Sequence, residues 1–230
     1  SGGASSGGAG YGGAASGGAA SGGQSSGGTN GTGGTSPAEP EVPDNAACAA
    51  VSDWPSARSE EEEQVLALVN QRRASGASCG GTAMPAVAPL TMDPYLRCAA
   101  RLHSLDMAQR DYFSHATWNE SATTCQADNG CTSGNICGSE FPDDPDDDVT
   151  PIKRCGKSPG TRVSEAGGPS GAGWENIAAG NDTAEATMTQ WMNSSGHCTN
   201  IMRANLKTIG IGFATGPATY GDYWTQSFND

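Results

Sequence analysis

Apolar positions recur at helical spacing in three stretches of the chain and at strand spacing near its end. After Ser59-Glu60-Glu61-Glu62, the residues Val65, Leu68, Val69 and Arg72 mark one face of a helix that stops at Gly76. Ser59 with Glu62 three residues on reads as a capping box, with Ser59 as N-cap. Acids at this end and Arg72 and Arg73 at the other suit the helix dipole. Asp93-Pro94 opens a second helix, a cap followed by a first-turn proline, which runs to about Tyr112. Leu96, Ala99, Ala100, His103 and Met107 share its apolar face. Asp182-Thr183-Ala184-Glu185 opens a third, carrying Met188, Trp191 and Met192. Ile209, Ile211 and Phe213 then alternate with Gly210 and Gly212. Beyond Gly216-Pro217, the series Tyr220, Asp222, Trp224, Gln226 and Phe228 alternates again. This predicts two antiparallel strands joined as a hairpin. Helices first and strands last point to an α+β sandwich.

Two regions carry no such pattern. From Ser1 to about Asn45 the chain is nearly all Gly, Ser, Ala and Thr, too poor in apolar surface to offset the entropy of ordering it. Residues 1–47 are therefore expected to form a disordered tether whose ends lie roughly 35–40 Å apart. Residues 48–230 are expected to form one domain. Between about 119 and 160 lies a polar insert with Cys125, Cys131, Cys137 and Cys155 and the acidic run Asp143-Asp144-Pro145-Asp146-Asp147-Asp148. A loop of that length in a compact domain is expected to be stapled by its cysteines.

A net charge of −13, from 25 acidic and 12 basic side chains, argues against nucleic acid or an anionic membrane as the partner. No apolar run reaches the length of a transmembrane segment. The eight cysteines, Cys48, Cys79, Cys98, Cys125, Cys131, Cys137, Cys155 and Cys198, are dispersed and contain no C-x-x-C, so all are disulfide candidates in an oxidising compartment. The chain is expected to be secreted or displayed at a cell surface. The Gly/Ser arm suits an anchor, such as a lipid on a residue before Ser1.

Candidate chemistry is concentrated in few places. The chain has three histidines. His115 follows the second helix, and His197 lies in Trp191-Met192-Asn193-Ser194-Ser195-Gly196-His197-Cys198, after Trp174-Glu175-Asn176. Two imidazoles and a carboxylate can ligate zinc or another divalent cation and leave a position for water. Glu175 is also the candidate catalytic base. Against this stands a bland alternative in which Glu175 caps a turn and His197 a helix. His103, on the apolar stripe, reads as a hydrogen-bonded core histidine. Asp144, Asp146 and Asp148 resemble a calcium loop, but Val149 and Cys155 stand where that loop needs Gly and Glu. The sequons at Asn119, Asn181 and Asn193 are short enough to arise by chance. Cys198 is expected in a disulfide, not as a nucleophile.

Several motifs in order resemble bacterial CAP domains (cysteine-rich secretory protein, antigen 5 and pathogenesis-related, also called SCP). They are Val69-Asn70-x-x-Arg73, Ala100-x-x-His103-Ser104-x-x-Met107-Ala108, Phe113-Ser114-His115, Glu175-Asn176-Ile177-Ala178-Ala179-Gly180, Trp191-Met192-x-Ser194-x-Gly196-His197-Cys198-x-Asn200-Ile201-Met202 and Tyr223-Trp224-x-Gln226-x-Phe228. The resemblance covers about Arg58 to Asp230 and implies a three-layer α-β-α sandwich. It also implies a cleft in which His115 and His197 hold a divalent metal, often zinc, beside Glu175. The family's second glutamate falls at Ser194 here, and a serine supplies no charge near neutral pH.

These readings lead to an extracellular, non-enzymatic, monomeric module whose cleft binds a divalent metal or a small-molecule or lipid ligand, with an extracellular protein as the other candidate partner. The alternative is a peptidase-like, metal-dependent hydrolase with zinc-bound water and Glu175 as base. A third reading places a partner on the insert around Cys125 to Cys155.

Overall fold

The structure is a computed structural model and describes residues 41–117, 135–138, 154–170 and 172–230. The tether up to residue 40, the sequon at Asn119, Cys125, Cys131 and the acidic run Asp143 to Asp148 lie outside the described residues. In chain order come a 3-10 turn (Ala49–Val51), α1 (Ser56–Ser75), β1 (Ala77–Cys79), β2 (Thr82–Met84), β3 (Thr91–Met92) and α2 (Pro94–Arg110). There follow β4 (Asn135–Gly138), β5 (Arg154–Lys157), α3 (Pro159–Glu165), β6 (Trp174–Ala179), α4 (Ala184–Asn193), α5 (Ser195–Ile201), β7 (Thr208–Thr215) and β8 (Asp222–Asn229).

The principal sheet has the order β3-β7-β8-β6, with β3 parallel to β7 and the other pairs antiparallel. Side chains of β7 sort onto its faces by parity, as the pleat requires. Ile209, Ile211 and Phe213 pack with Val65 and Val69 of α1, Met188 and Trp191 of α4 and Ile201 of α5. Gly210 and Gly212 face α2. A Cβ on Gly210 would lie 2.0 Å from the carbonyl carbon of Leu96, and one on Gly212 would lie 2.3 Å from that of Ala100. The missing side chains let the α2 backbone lie directly on the strand. On β8, Tyr223 joins Met107 and Ala108 of α2, whereas Trp224 and Phe228 join the opposite core. Both faces of the sheet are covered, which is the expected three-layer α-β-α sandwich of an α+β domain.

The helices and the hairpin anticipated from periodicity start or stop close to where the pattern placed them, except at the start of α1. Asp93 caps α2 by accepting from the amides of Tyr95 and Leu96, both at 2.9 Å. Thr183 caps α4, Gly76 ends α1 at φ 74°, and β7 and β8 form the hairpin, with Tyr220 in the turn instead of the strand. The start of α1 is a correction: its N-cap is Pro55, so Ser59 and Glu62 lie inside the helix. Glu62 is fully buried, accepting from the indole of Trp54, the amide of Phe213 and the guanidiniums of Arg97 and Arg101. Ser59 donates to Glu41 at 2.9 Å and accepts from Arg101. Two cations in the interior outweigh what a carboxylate would gain at an exposed cap. Of the two arginines in the last turn of α1, Arg73 and not Arg72 is buried, and it donates to the carbonyls of Ala88, Ile201 and Arg203.

Packing begins upstream of Cys48: Val42 is buried and Glu41 pairs with Arg101 at 2.6 Å. Among the described residues, two disulfides fasten the layers. Cys48–Cys98 ties the N-terminal arm to α2, and Cys79–Cys198 ties β1 to α5. In the small β4–β5 sheet, Cys137 and Cys155 are Cα partners.

Candidate functional site

The chain leaves α2 through Asp111, in the left-handed region at φ 52°, and its carboxylate accepts from the amide of Thr219 at 2.7 Å. The segment that follows is held from beneath by His103. Its Nε2 donates to the carbonyl of Ser114 at 2.9 Å, and the residue is only 1% exposed. Burial, helped by the positive charge of Arg162, pushes its pKa down to about 3, so the ring is neutral. His103 is therefore a hydrogen-bonded core histidine. The buried ring positions the loop that carries His115.

Glu175 comes from the edge strand β6. Alternation along this strand sends Ile177 to the α2 side, where it meets Met107, and Asn176 to the α5 side, where its Nδ2 donates to the carbonyl of His197 at 3.2 Å. Glu175, on the Ile177 side, receives Nδ1 of His115 on Oε1 at 3.0 Å and Nη2 of Arg162 on Oε2 at 2.5 Å. Arg162 is brought in by α3, which Ser158 caps and Pro159 initiates. Its other terminal nitrogen, Nη1, donates to the carbonyls of His115 and Lys157, both at 2.9 Å, and to the hydroxyl of Thr117 at 3.1 Å. One guanidinium thus joins the carboxylate to the loop on which the imidazole sits.

Burial alone would raise the pKa of Glu175, whose side chain is 2% exposed. The charge of Arg162 overrides burial, His115 adds a hydrogen bond, and the pKa falls to about 2. With its Nδ1–H directed at Glu175, His115 keeps the Nε2 lone pair for an incoming group, and its side chain is 39% exposed.

His197 lies in the first turn of α5. Ser194 forms the junction between α4 and α5 at φ −92° and ψ 124°, with no side-chain capping bond. The pKa of His197 is lowered, chiefly by burial. Its Nδ1 is buried without a hydrogen-bond partner. An amide chain runs behind it: Asn200 donates to Asn176 at 3.0 Å, and Asn176 donates to Gln226 at 3.0 Å.

The structure therefore joins His115 to Glu175 and places His197 on the other side of β6, where its carbonyl accepts from Asn176. Both oxygens of Glu175 are engaged within the protein. Among the described residues no group of three or more His, Cys, Asp and Glu side chains is arranged to hold a metal. Glu175 is the carboxylate that orients the His115 imidazole. Sequence reasoning missed Arg162, Asn176 and Asn200 as parts of the site. Arg162 stands 13 positions before its partner, next to the insert, and no local pattern marks it.

Comparison with known proteins settles the family. The profile of the cysteine-rich secretory protein family, CAP, matches residues 66–228. The chain belongs to this family. The CAP domain is also 32% identical over 174 residues to the uncharacterized protein YkwD of Bacillus subtilis (strain 168), a match covering 76% of this chain and 49% of that protein. The chain thus spans about half the length of this relative. A crystal structure of an extracellular protein containing an SCP domain, from Bacillus anthracis str. Ames, aligns at 20% identity with a TM-score of 0.48 over 74% of this chain and 40% of that one. No helix among the described residues of the CAP domain is long and apolar enough to cross a membrane.

Proposed function

We propose that this CAP domain is an exported, non-enzymatic binding module whose cleft takes a divalent cation through His115 and His197, with a small ligand beside it. The observation that carries the reading is the locking of Glu175 between Arg162 and His115. A carboxylate with a pKa of about 2 is a weak base near neutral pH, and this one must abandon a buried ion pair to accept a proton. The same locking gives His115 the tautomer a metal ligand needs, with Nδ1–H on a carboxylate and Nε2 open. Zinc suits such a pair, its remaining positions going to water or to ligand atoms, and when bound it would polarise whatever oxygen it holds. The two disulfides support export, since such bonds persist in oxidising compartments. Hydrolysis with Glu175 as base remains the second reading, and it requires the Arg162 pair to open.

The test is calorimetric titration of zinc into the metal-stripped protein and into the His115→Ala/His197→Ala double variant. One zinc per chain with affinity falling about a hundredfold or more in the variant is expected, as for loss of two ligands at about tenfold or more each. Equal zinc affinity in both proteins, or none in either, would overturn the cation site.

A further inference from the structure

The cleft continues past His115 into a groove between α3 and the start of β6, of about 1060 Å³, lined by Ser158, Gly160, Ser164, Ser170 and Trp174 among others. Trp174 is 43% exposed, although it begins a strand of the central sheet. It is also held. The guanidinium of Arg203 lies 3.5 Å from the ring centroid, and its Nε donates to Oδ1 of Asn200 at 3.3 Å. Asn200 is fixed in turn by Asn176 and by the carbonyl of Glu175. A large aromatic surface thus stands at the groove with its orientation set in advance, so little side-chain entropy is lost when something stacks on it.

Two features of the groove select its occupant. The first is charge. Glu175 is paired with Arg162, and Glu165 with Lys157 at 2.8 Å, so the carboxylates lining the groove are compensated. The second is the state of the edge strand. The carbonyl of Glu175 accepts from Asn200 at 3.4 Å, and that of Ile177 accepts from the indole of Trp191 at 3.1 Å. A peptide adding as a fifth strand would have to displace both side chains. Together with the serine and threonine hydroxyls and the small apolar residues Ala172 and Gly173 along the groove, these features favour a ligand that is uncharged, bears hydroxyls and has a flat face to stack. Serine hydroxyls both donate and accept, as sugar hydroxyls do. The C–H face of a pyranose carries the weakly positive hydrogens that an indole face attracts.

We propose that this groove binds a neutral saccharide, with Trp174 as the stacking platform and Arg203 as the residue that positions the ring. The proposal names the small ligand of the reading above but does not need its metal. The experiment is calorimetry on the full chain, stripped of metal with EDTA, using cellotetraose and chitotetraose as probes. Binding of at least one in the micromolar to millimolar range is expected. Trp174→Ala should weaken it about tenfold or more, as truncation of a central aromatic anchor does, while Trp174→Phe stays within about threefold. Arg203→Ala, which frees the ring without removing it, should give an intermediate loss. Thermal melts of each variant separate lost binding from lost folding. His197→Ala should weaken zinc binding about tenfold or more and leave oligosaccharide binding in place, so failure of one site is distinguishable from failure of the other. No heat from either oligosaccharide at about 10 mM with the wild-type protein, or a folded Trp174→Ala variant that binds equally well, would overturn the proposal.

Discussion

Replacing Arg162 with methionine tests the electrostatic core of the cleft directly. The variant keeps the aliphatic stem and removes the guanidinium that does most to hold Glu175 ionised in a site with 2% side-chain exposure. In the intact protein the folded pKa of Glu175, about 2, lies below its ordinary 4.5. The group therefore contributes stability that is fully present above about pH 4.5 and is lost as pH falls through 2. At 1.36 kcal/mol per unit, that contribution is about 3 kcal/mol. Without Arg162, burial dominates and the folded pKa rises above 4.5, so the sign reverses. Ionised Glu175 then destabilises the fold, and acidification relieves it. The hydrogen bonds from Arg162 to the carbonyls of His115 and Lys157 are lost as well, but that loss does not depend on pH. Urea denaturation of both proteins from pH 7 to pH 2.5 separates the two effects. The stability gap is expected to be largest at pH 7, at about 3–5 kcal/mol, as for other broken buried pairs. It should narrow by about 3 kcal/mol on acidification. Two parallel stability curves, with a gap that stays constant to within about 0.5 kcal/mol, would show that the Glu175–Arg162 pair is not the source of the stabilisation.

Two further outcomes probe the frame around the site. Gly210→Ala would force a Cβ to within 2.0 Å of the Leu96 carbonyl carbon, so α2 must shift. A loss of about 3 kcal/mol or more is expected by chemical denaturation, and a change below about 0.5 kcal/mol would show that the layers are less tightly packed than described. Cys79 and Cys198 are separated by 119 positions, so the Cys79→Ser/Cys198→Ser variant is expected to lose about 4–5 kcal/mol from loop-closure entropy, read as a lower denaturation midpoint. An unchanged midpoint would refute the bond's contribution.

Periodicity was a good guide wherever one face of an element met one core. The stripe of Leu96, Ala99, Ala100 and Met107 and the capping of α2 by Asp93 needed no partner to be recognised. It served less well at Ser59 and Glu62, whose spacing imitates a cap. Their partners Arg97 and Arg101 are 35 and 39 positions from Glu62, so only the folded chain reveals an ion-pair cluster there. β6 was missed as a strand because Trp174, Glu175 and Asn176 look like a site motif. Its edge position leaves Glu175 and Asn176 on opposite sides, each committed to a different layer.

The sequence by itself determined the family, the three long helices and the terminal hairpin, because local caps, turn residues and hydrophobic spacing are properties of short segments. It also singled out His115, Glu175 and His197, which ordered motifs mark without any knowledge of distance. Only the tertiary structure decided what those residues are free to do. The ionisation of Glu175, the tautomer of His115 and the orientation of Trp174 depend on Arg162 and Arg203, and those contacts exist only once α3, α5 and β6 have been brought together. Electrostatic and stacking interactions fall off over a few ångströms, so separation along the chain does not show which of them form.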